Sequence, residues 1–398
     1  MKPILNIVSA GMGAYGQYSG DSLDVIRSSR RVLTTKRIGD GLWDKFGNVE
    51  ILDIDKIVLE LECSTDDVTV LVSGDCGFYS LGSMLANRFE SRYDVRNFSG
   101  ISSMQYLLAK LNKPYSNVRA LSLHGRTGNI LSAVTYSEKL FVLTDRKNSV
   151  KSILEQLKNS GIGGLEITVG ENLSDTDEKI TTSENISTLY SQNYSDLSVM
   201  YIENSRCTDR NRRLRDSDFI RGKVPMTKEN VRVVSVNRME INSRDIVYDI
   251  GAGTGSVSIA AAFKAYDGLV YSVEKSSEAV ELLEKNRTKF GAYNCEIIQG
   301  YAPDCIDALP SPNKAFIGGS SGNMDSIIKC LVEKNSKITL CINVIALESL
   351  SSVLACMNRY NFVDIDISCI NCAEMEKIGG YSMMKAENPV YIISGRHE

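Results

Sequence analysis

The segment Asp245–Ala262 contains an apolar strand, a glycine-rich turn and the start of a small-residue helix, in that order. Gly251, Gly253 and Gly255 let the backbone bend tightly and let a ligand approach it, as in the first crevice of a doubly wound α/β sheet. The spacing is G-x-G-x-G, and Ser256 stands where a dinucleotide-binding loop has its third glycine. The segment therefore predicts a cofactor loop that suits a nucleoside better than the pyrophosphate of NAD.

The next strand, Gly268–Glu274, ends in an acidic residue about twenty residues after the glycine loop. In nucleotide-binding α/β folds, a carboxylate at that position accepts hydrogen bonds from ribose hydroxyls. Glu274 is therefore the residue that most strongly predicts a bound nucleoside. A glycine turn without a ligand is the alternative, and the combination of strand, loop, helix and terminal acid argues against it.

Four further motifs accompany this loop and, with it, cover nearly all of residues 214–398. The set resembles the class I S-adenosylmethionine methyltransferases and, more specifically, the decarboxylating methyltransferase domain of cobalamin biosynthesis. Two positions depart from that pattern, since Ala260 stands where the family often has glutamate and Tyr301 replaces a more usual acid. The motifs are Val224–Arg232, Gly300–Pro303, Phe316–Ser320 and Glu387–Tyr391.

The resemblance implies a site for S-adenosylmethionine and, beside it, a site for a tetrapyrrole. Ser320 would be catalytic, and Gly318 and Gly319 would face the substrate. Nearby basic residues are candidates for binding substrate carboxylates, with ordinary surface ion pairs as the alternative. These candidates are Lys228, Arg221 and Lys223. The implied donor site consists of Thr227, Asp249, Gly251, Gly253, Thr254, Gly255, Glu274 and Ala302.

The N-terminal segment contains a second glycine motif, Gly11–Gly16, which matches the G-x-G-x-x-G pattern of dinucleotide-binding loops. The strand after it ends in Lys36 rather than an acid, so the ribose partner that NAD requires is missing. The 2′-phosphate of NADP would tolerate a base there. An NADP-linked oxidoreductase therefore stays open as an alternative function.

Three later motifs favour a different interpretation of the first half. In their order and spacing they resemble the tetrapyrrole methylase superfamily, over about residues 3–204. The resemblance implies a class III methyltransferase fold with two α/β subdomains and the methyl donor bound in the cleft between them. The motifs are Leu71–Ser80, Phe98–Gln105 and Leu121–Arg126. The implied donor-binding residues are Gly74, Asp75, Ser102 and Ser103.

Two positions of the first half depart from this family. Cys76 stands where the family usually has proline, and Ala14-Tyr15 replaces the Pro-Gly that commonly follows the first two glycines. Cysteine keeps the loop small but lacks the fixed φ of proline, which weakens the case for full donor affinity. A tetrapyrrole-binding protein with only one active methylase half is therefore a further alternative.

His124 and Arg126 lie together after a predicted strand of the first half. The histidine is a candidate catalytic proton shuttle, and the arginine is a candidate for binding a substrate acetate or propionate bidentately. A structural hydrogen bond is the alternative role for His124, and a surface ion pair is the alternative for Arg126.

We therefore predict an α/β protein with an N-terminal class III tetrapyrrole methylase fold in residues 1–204 and a C-terminal Rossmann-like class I methyltransferase in residues 214–398. The arginine-rich segment between them, residues 205–213, reads as a linker. The two resemblances together are similar to the fused, decarboxylating methyltransferases of vitamin B12 biosynthesis. They imply methylation of a precorrin or cobalt-precorrin at carbons 5 and 15, with loss of the ring C acetate carboxyl.

Composition restricts the partners and the compartment. A net charge of −4 over 398 residues provides no field for a polyanion, so no nucleic acid partner is expected. No apolar run approaches the ~18 residues of a membrane span, so we expect a cytoplasmic protein that does not bind membranes. The ten cysteines are scattered, and the single C-x-x-C, Cys369 to Cys372, has no second pair, so neither disulfides nor a metal site is expected. A homo-oligomer is expected.

Overall fold

The computed structural model describes residues 2–39, 46–125 and 128–398, and the structural statements below refer to these residues. The chain divides into two compact units. The first contains Met1–Gly128 and Glu138–Ser205, and the second contains Asn129–Ser137 and Arg206–Glu398. A short segment from within the first half of the sequence thus belongs to the second unit.

The first unit begins with a parallel sheet whose described strands have the order β3-β2-β4-β1-β5. All five residues of its central strand β4 are buried, as expected for a parallel strand covered on both faces. The strands are β1 (Ile4–Ser9), β2 (Val32–Thr34), β3 (Val49–Ile51), β4 (Val68–Val72) and β5 (Asp94–Phe98). The helices are α1 (Gly20–Ser28), α2 (Lys36–Gly39), α3 (Ile54–Cys63), α4 (Leu81–Phe89) and α5 (Ser103–Lys110).

A second, mixed sheet completes the first unit, in the order β6-β7-β10-β8-β9. Leu107 and Leu108 of α5 pack with Phe141 and Tyr201 of this sheet, so α5 links the two sheets through a shared apolar cluster. The strands are β6 (Arg119–Ser122), β7 (Lys139–Leu143), β8 (Leu165–Glu171), β9 (Lys179–Ser183) and β10 (Ser198–Asn204). The helices that follow α5 are α6 (Ile130–Thr135), which belongs to the second unit, α7 (Val150–Ser160) and α8 (Ile186–Tyr190).

The second unit is built on a sheet with the order β13-β12-β11-β14-β15-β19-β16, and β17 and β18 form a separate two-stranded ribbon. The strands are β11 (Ile246–Ile250), β12 (Leu269–Glu274), β13 (Cys295–Gln299), β14 (Lys314–Ile317), β15 (Thr339–Val344), β16 (Phe362–Ile370), β17 (Ala373–Ile378), β18 (Tyr381–Ala386) and β19 (Val390–His397). The helices are α9 (Glu229–Arg238), α10 (Ser256–Lys264), α11 (Ser277–Phe290), α12 (Met324–Lys334) and α13 (Leu347–Arg359).

The strand order of this sheet determines where a ligand can bind. From β11 the chain first builds outward through β12 and β13, then returns to the other side of β11 with β14 and β15, all parallel. The direction of winding therefore reverses between β11 and β14, and open α/β sheets bind ligands in the crevice at the carboxyl ends of such strands. The predicted α/β class with mostly parallel sheets is confirmed. No helix in the described ranges has both the length and the apolar character needed to cross a bilayer.

Hydrogen bonds on both sides of helix α6 join it to the rest of the second unit. Before the helix, Asn129 Nδ2 donates to the Tyr293 carbonyl at 2.8 Å. After it, the buried Tyr136 hydroxyl donates to Asn294 Oδ1 at 3.0 Å, and the Tyr136 ring packs edge-on against Phe263. The core of the second unit therefore includes a helix that lies between β6 and β7 in the sequence.

We expect Tyr136→Phe to lower the free energy of unfolding by about 1–3 kcal/mol, because the buried Asn294 Oδ1 loses its donor. Urea unfolding of the full chain followed by circular dichroism measures this effect. Tyr115→Phe is the matched control, since Tyr115 is 56% exposed and should change stability by less than about 0.5 kcal/mol. Equal effects of the two variants would contradict the assignment of α6 to the second core.

Candidate functional site

The glycine loop between β11 and α10 adopts a backbone that only glycine takes readily. The φ angles of Gly251, Gly253 and Gly255 are +79°, +56° and +80°. A side chain at the first position would place its Cβ 2.8 Å from backbone atoms of Gly319, and one at the second would lie 3.0 Å from the Pro225 carbonyl oxygen. The loop thus contacts both the segment after β14 and the segment before α9, and all three border the crevice.

Glu274, at the end of β12, fixes this loop through its carboxylate. Oε2 accepts the N–H of Gly253 at 2.8 Å, and Oε1 accepts the N–H groups of Lys275 and Ser276 at 2.8 and 2.9 Å. The residue is 9% exposed. Because a carboxylate has about four acceptor positions, the three N–H groups leave capacity for a ligand hydroxyl. The geometry suits the ribose-binding role predicted for Glu274.

A cavity of about 450 Å³ lies beside these loops, within the usual size range of small-molecule sites. Eight residues that the sequence analysis predicted for donor binding, substrate binding or catalysis line it. They are Lys223, Gly251, Gly253, Glu274, Ala302, Gly318, Gly319 and Ser320. Its remaining lining residues include Val224, Pro225, Lys275, Ser276, Glu278, Tyr301 and Ser321.

Several other predicted residues are not among those that line the cavity. Thr254 is buried, and its carbonyl oxygen accepts a hydrogen bond from Asn286 Nδ2 at 2.9 Å. Gly255 caps α10, where a Cβ would come within 2.9 Å of the Leu283 side chain. These two residues support the loop through packing. Their proposed contact with the donor stays a prediction.

Thr227 and Lys228 precede α9, and their described contacts are with protein groups. The Thr227 carbonyl oxygen accepts from Arg232 Nη1 at 2.9 Å and from Ser256 Oγ at 3.3 Å. The Lys228 ammonium lies 3.1 Å from Glu387 Oε1, so its charge already has a partner. A substrate carboxylate would have to compete with Glu387 for this lysine.

Asp249 lies inside the sheet, directly before the glycine loop. It is 1% exposed, and one carboxylate oxygen accepts a hydrogen bond from the Ser258 hydroxyl. The other oxygen has no hydrogen-bond partner among the described residues. Burial and, to a smaller extent, the negative charge of Glu274 together raise the pKa of Asp249 to about 7. Asp249 therefore lies in β11 next to the glycine loop, but it is not among the residues that line the cavity.

Arg232 is a site-supporting residue that the motif analysis did not single out. It is 1% exposed on α9, where Nη1 donates to Asp216 Oδ1 at 3.1 Å and to the Thr227 carbonyl oxygen. Nη2 donates to the Leu214 carbonyl oxygen at 2.5 Å, and the guanidinium lies over the Phe219 ring. Burial lowers the pKa of Arg232. The residue thereby anchors the segment that reaches the cavity at Pro225, and an arginine between two valines was the available sequence signal.

In the first unit, the loops after β1 and β4 are joined directly. Gly74 N–H donates to the Gly11 carbonyl at 2.6 Å, and Gly11 N–H donates back to the Gly74 carbonyl at 3.1 Å. Asp75 accepts the N–H of Gly77 at 2.9 Å and the N–H of Gly100 at 3.0 Å, which brings the loop after β5 to the same place. The predicted donor residues Gly74 and Asp75 therefore lie where three loops meet at the carboxyl edge of the first sheet.

Ser102 and Ser103 start helix α5 next to this junction. The Ser102 hydroxyl caps the helix, since it accepts the Gln105 N–H at 3.2 Å, and the Gln105 side chain accepts the Ser102 N–H in return. Ser102 is 2% exposed, and Ser103 is half-buried. The capping role of Ser102 is thus established by geometry, while donor binding by either serine stays a prediction.

His124 is exposed in the loop after β6, and its Nδ1 lies 3.2 Å from the Thr144 carbonyl oxygen. The backbone N–H groups of Asn148 and of Gly125, which follows His124, donate to Asp145 and lower the pKa of that carboxyl. A structural hydrogen bond is therefore visible for His124, and its catalytic role stays a prediction. The predicted substrate residue Arg126 lies outside the described residues. Within the described ranges, no group of three or more His, Cys, Asp or Glu residues could hold a metal ion.

The two halves of the chain match two protein families. Residues 5–189 match the tetrapyrrole (corrin/porphyrin) methylases, and residues 219–396 match the precorrin methyltransferase domain. Both families suggested by the sequence motifs are thus confirmed, and each covers a different half of the chain.

Curated relatives match the second half. The cobalt-precorrin-6B C(15)-methyltransferase (decarboxylating) of Pyrobaculum calidifontis is 36% identical over 173 residues, which cover 43% of this chain and 88% of the relative. Its counterpart in Methanococcus vannielii is 36% identical over 184 residues, or 46% of this chain and 99% of the relative. A solved structure of precorrin-6Y C5,15-methyltransferase from Geobacter metallireducens is 29% identical, with a TM-score of 0.44, and the match covers 47% of this chain and 96% of that one.

We expect Glu274→Ala to weaken binding of S-adenosylmethionine by about 1–3 kcal/mol, because charge-assisted acceptors for the ribose and for the Gly253 N–H are both lost. Calorimetric titration of the full chain should show one donor-binding event weakened. Glu284→Ala, on the exposed face of α11, is the control and should bind like the unmodified chain. Undiminished binding by Glu274→Ala would remove the ribose assignment.

We also expect Asp249 to make stability depend on pH. Because its pKa is raised in the folded state, its stabilising contribution is complete below about pH 4 and is lost as the pH rises through about 7. Between pH 5 and 8 the unmodified chain should lose on the order of 2 kcal/mol more stability than Asp249→Asn. Urea unfolding at both pH values measures the difference, and parallel pH profiles of the two proteins would show that Asp249 is ionised in the folded state.

Proposed function

Because the chain belongs to the family of decarboxylating precorrin methyltransferases, we propose that it is a bifunctional, S-adenosylmethionine-dependent enzyme of vitamin B12 biosynthesis. Its substrate is a precorrin or cobalt-precorrin, methylated at carbons 5 and 15 with loss of the ring C acetate carboxyl. The observation that carries the proposal is the cavity of the second unit, where the glycine loop and Glu274 meet in a chain whose two halves match the two required families.

In the second unit, the methyl donor fits the cavity beside the glycine loop. Glu274 would accept hydrogen bonds from its ribose, and the three glycines let the backbone approach it without steric conflict. S-adenosylmethionine supplies an electrophilic methyl group on a sulfonium, so the acceptor carbon needs chiefly alignment with that group and exclusion of water. Loops held by Arg232 and Glu274 provide a fixed frame for this alignment.

The turn after β14 is the proposed contact with the tetrapyrrole. Gly318, Gly319 and Ser320 line the same cavity as Glu274, and the Ser320 carbonyl oxygen accepts the Asn323 N–H at 2.9 Å. Loss of carbon dioxide leaves an electron pair that the conjugated macrocycle can accept, so the protein has to orient the carboxylate and allow protonation. Ser320 is the proposed residue for that orientation, because it lines the cavity and carries a hydroxyl donor.

The first unit is the proposed site of methylation at carbon 5. Its family match and the convergence of three loops on Asp75 support this assignment. The departure from the family at Cys76 has a structural counterpart, since the Cys76 N–H donates to Ser9 Oγ at 2.8 Å. Proline has no N–H and could not make this bond, so the hydrogen bond restrains the loop where proline would restrain it through its fixed φ. This restraint favours an active first unit over a chain with a single active half.

We propose a cytoplasmic homo-oligomer that binds no nucleic acid. The cytoplasm is supported by the ten cysteines, all of which are free thiols, as is usual in a reducing compartment. The absence of a nucleic acid partner rests on the net charge of −4, and the oligomeric state stays a prediction.

The test is a product mass spectrum after incubation of the full chain with S-adenosylmethionine and the reduced precursor, with and without cobalt. We expect a gain of two methyl groups and a loss of one carbon dioxide. Asp75→Ala should remove the methylation at carbon 5 alone, and Glu274→Ala should reduce the methylation at carbon 15 and the decarboxylation. One methyl gained without decarboxylation would restrict activity to the first unit, and no methyl gained with either precursor would overturn the proposal.

A further inference from the structure

Lys275 is an exposed cation that lines the cavity and to which the sequence motifs assign no role. It follows Glu274 directly, and its own N–H is one of the three held by the Glu274 carboxylate. The side chain is exposed and lines the cavity. Its backbone is therefore fixed by the same carboxylate that fixes the glycine loop, and its ammonium group lies beside other residues that line the cavity.

The described partners of this ammonium are uncharged. Nζ donates to Ser321 Oγ at 2.8 Å and lies 5.4 Å from the centre of the Tyr301 ring. Both of these residues also line the cavity. An ammonium has three donors, so the bond to Ser321 leaves two for an incoming anion. In the described part of the chain, Lys275 forms no ion pair with a carboxylate.

The neighbouring charges make Lys275 better suited to an anion than the predicted Lys228. Lys228 already pairs with Glu387 at 3.1 Å and lies 4.0 Å from Asp216. The carboxylate of Glu274 is occupied by backbone N–H groups, so it does not neutralise the Lys275 ammonium by direct contact. An acid entering from solvent would therefore find an ammonium and the Ser321 hydroxyl side by side.

We infer that Lys275, together with Ser321, binds a peripheral carboxylate of the tetrapyrrole and so orients the macrocycle in the second unit. The inference rests on the proposed function, which supplies a substrate with several acetate and propionate side chains. An ammonium–carboxylate hydrogen bond is stronger than a neutral one and steers a polyacid toward the cavity from solvent.

The carboxylate of the methyl donor is the competing ligand, and its chemistry makes it the poorer candidate. That group is attached beyond the sulfur, at the 5′ end of the ribose, whereas Glu274 is assigned to the 2′ and 3′ hydroxyls. Lys275 adjoins Glu274 and thus lies at the hydroxyl end. The exposed fractions of the neighbouring residues support this assignment. Glu274 is 9% exposed, whereas Tyr301, beside the Lys275 ammonium, is 59% exposed. The Lys275 ammonium thus lies on the exposed side of the cavity, where a large acceptor would bind.

The test compares the full chain with Lys275→Met, which keeps the methylene groups, and Lys275→Arg, which keeps the charge. Carbon dioxide release from cobalt-precorrin-6B at saturating S-adenosylmethionine reports on the second unit alone. We expect Lys275→Met to raise KM for the tetrapyrrole about tenfold, with donor affinity unchanged, and Lys275→Arg to restore KM within about twofold. The difference between Met and Lys should shrink as salt is added, because exposed charges are screened.

Lys329→Met is the matched control, since Lys329 is an exposed lysine on α12 that pairs with Glu333. It should leave KM and donor affinity unchanged. An unchanged KM in Lys275→Met would overturn the inference and leave the proposed function intact. Weaker donor binding with an unchanged KM would assign Lys275 to the donor and would equally overturn it. Absence of carbon dioxide release from the unmodified chain would overturn the proposed function and, with it, this inference.

Discussion

The carboxylate of Glu274 is the interaction on which the second unit depends. It ends β12 and accepts N–H groups from two places, the glycine loop after β11 and the first residues after β12. Without this acceptor, three backbone donors would face a cavity that has to remain open for a ligand. Since charge-assisted bonds to backbone N–H groups are among the stronger hydrogen bonds in proteins, one side chain both shapes the loop and presents an acid to the cavity.

The second unit also buries two other charged side chains, those of Arg232 and Asp249. Burying a charged or polar group lowers the stability of the fold unless that group is hydrogen-bonded or paired. Arg232 meets that requirement with one carboxylate, two carbonyl oxygens and an aromatic face. Asp249 meets it only in part, because Ser258 satisfies one oxygen and the other is left without a partner. The raised pKa of Asp249 follows from that arrangement, since burial and the nearby negative charge of Glu274 both favour the protonated acid.

In the first unit, too, a carboxylate holds loops together at the edge of a parallel sheet. Asp75 accepts N–H groups from its own turn and from the loop after β5, and Gly11 and Gly74 exchange two backbone bonds across the loops after β1 and β4. In both units an acid near the end of a parallel strand gathers glycine-bearing loops at the carboxyl edge. The edge is suited to this because neighbouring parallel strands all end there. Both units thus use a carboxylate that accepts backbone N–H groups, although their folds differ.

Local sequence patterns were enough to predict the fold class, the two families and several residues that line the cavity of the second unit. These features are local, because glycine spacing, strand pattern and a terminal acid lie within about thirty residues and restrict the backbone directly. Other features depend on contacts between distant parts of the chain: α6 joins the second core, and Arg232 anchors the segment before α9. Glu387 likewise pairs with Lys228, whereas the described partners of the Lys275 ammonium are neutral. These pairings join residues up to about 160 positions apart, as Tyr136 and Asn294 show. Packing sets the distances between such residues, and no local pattern in the chain specifies them.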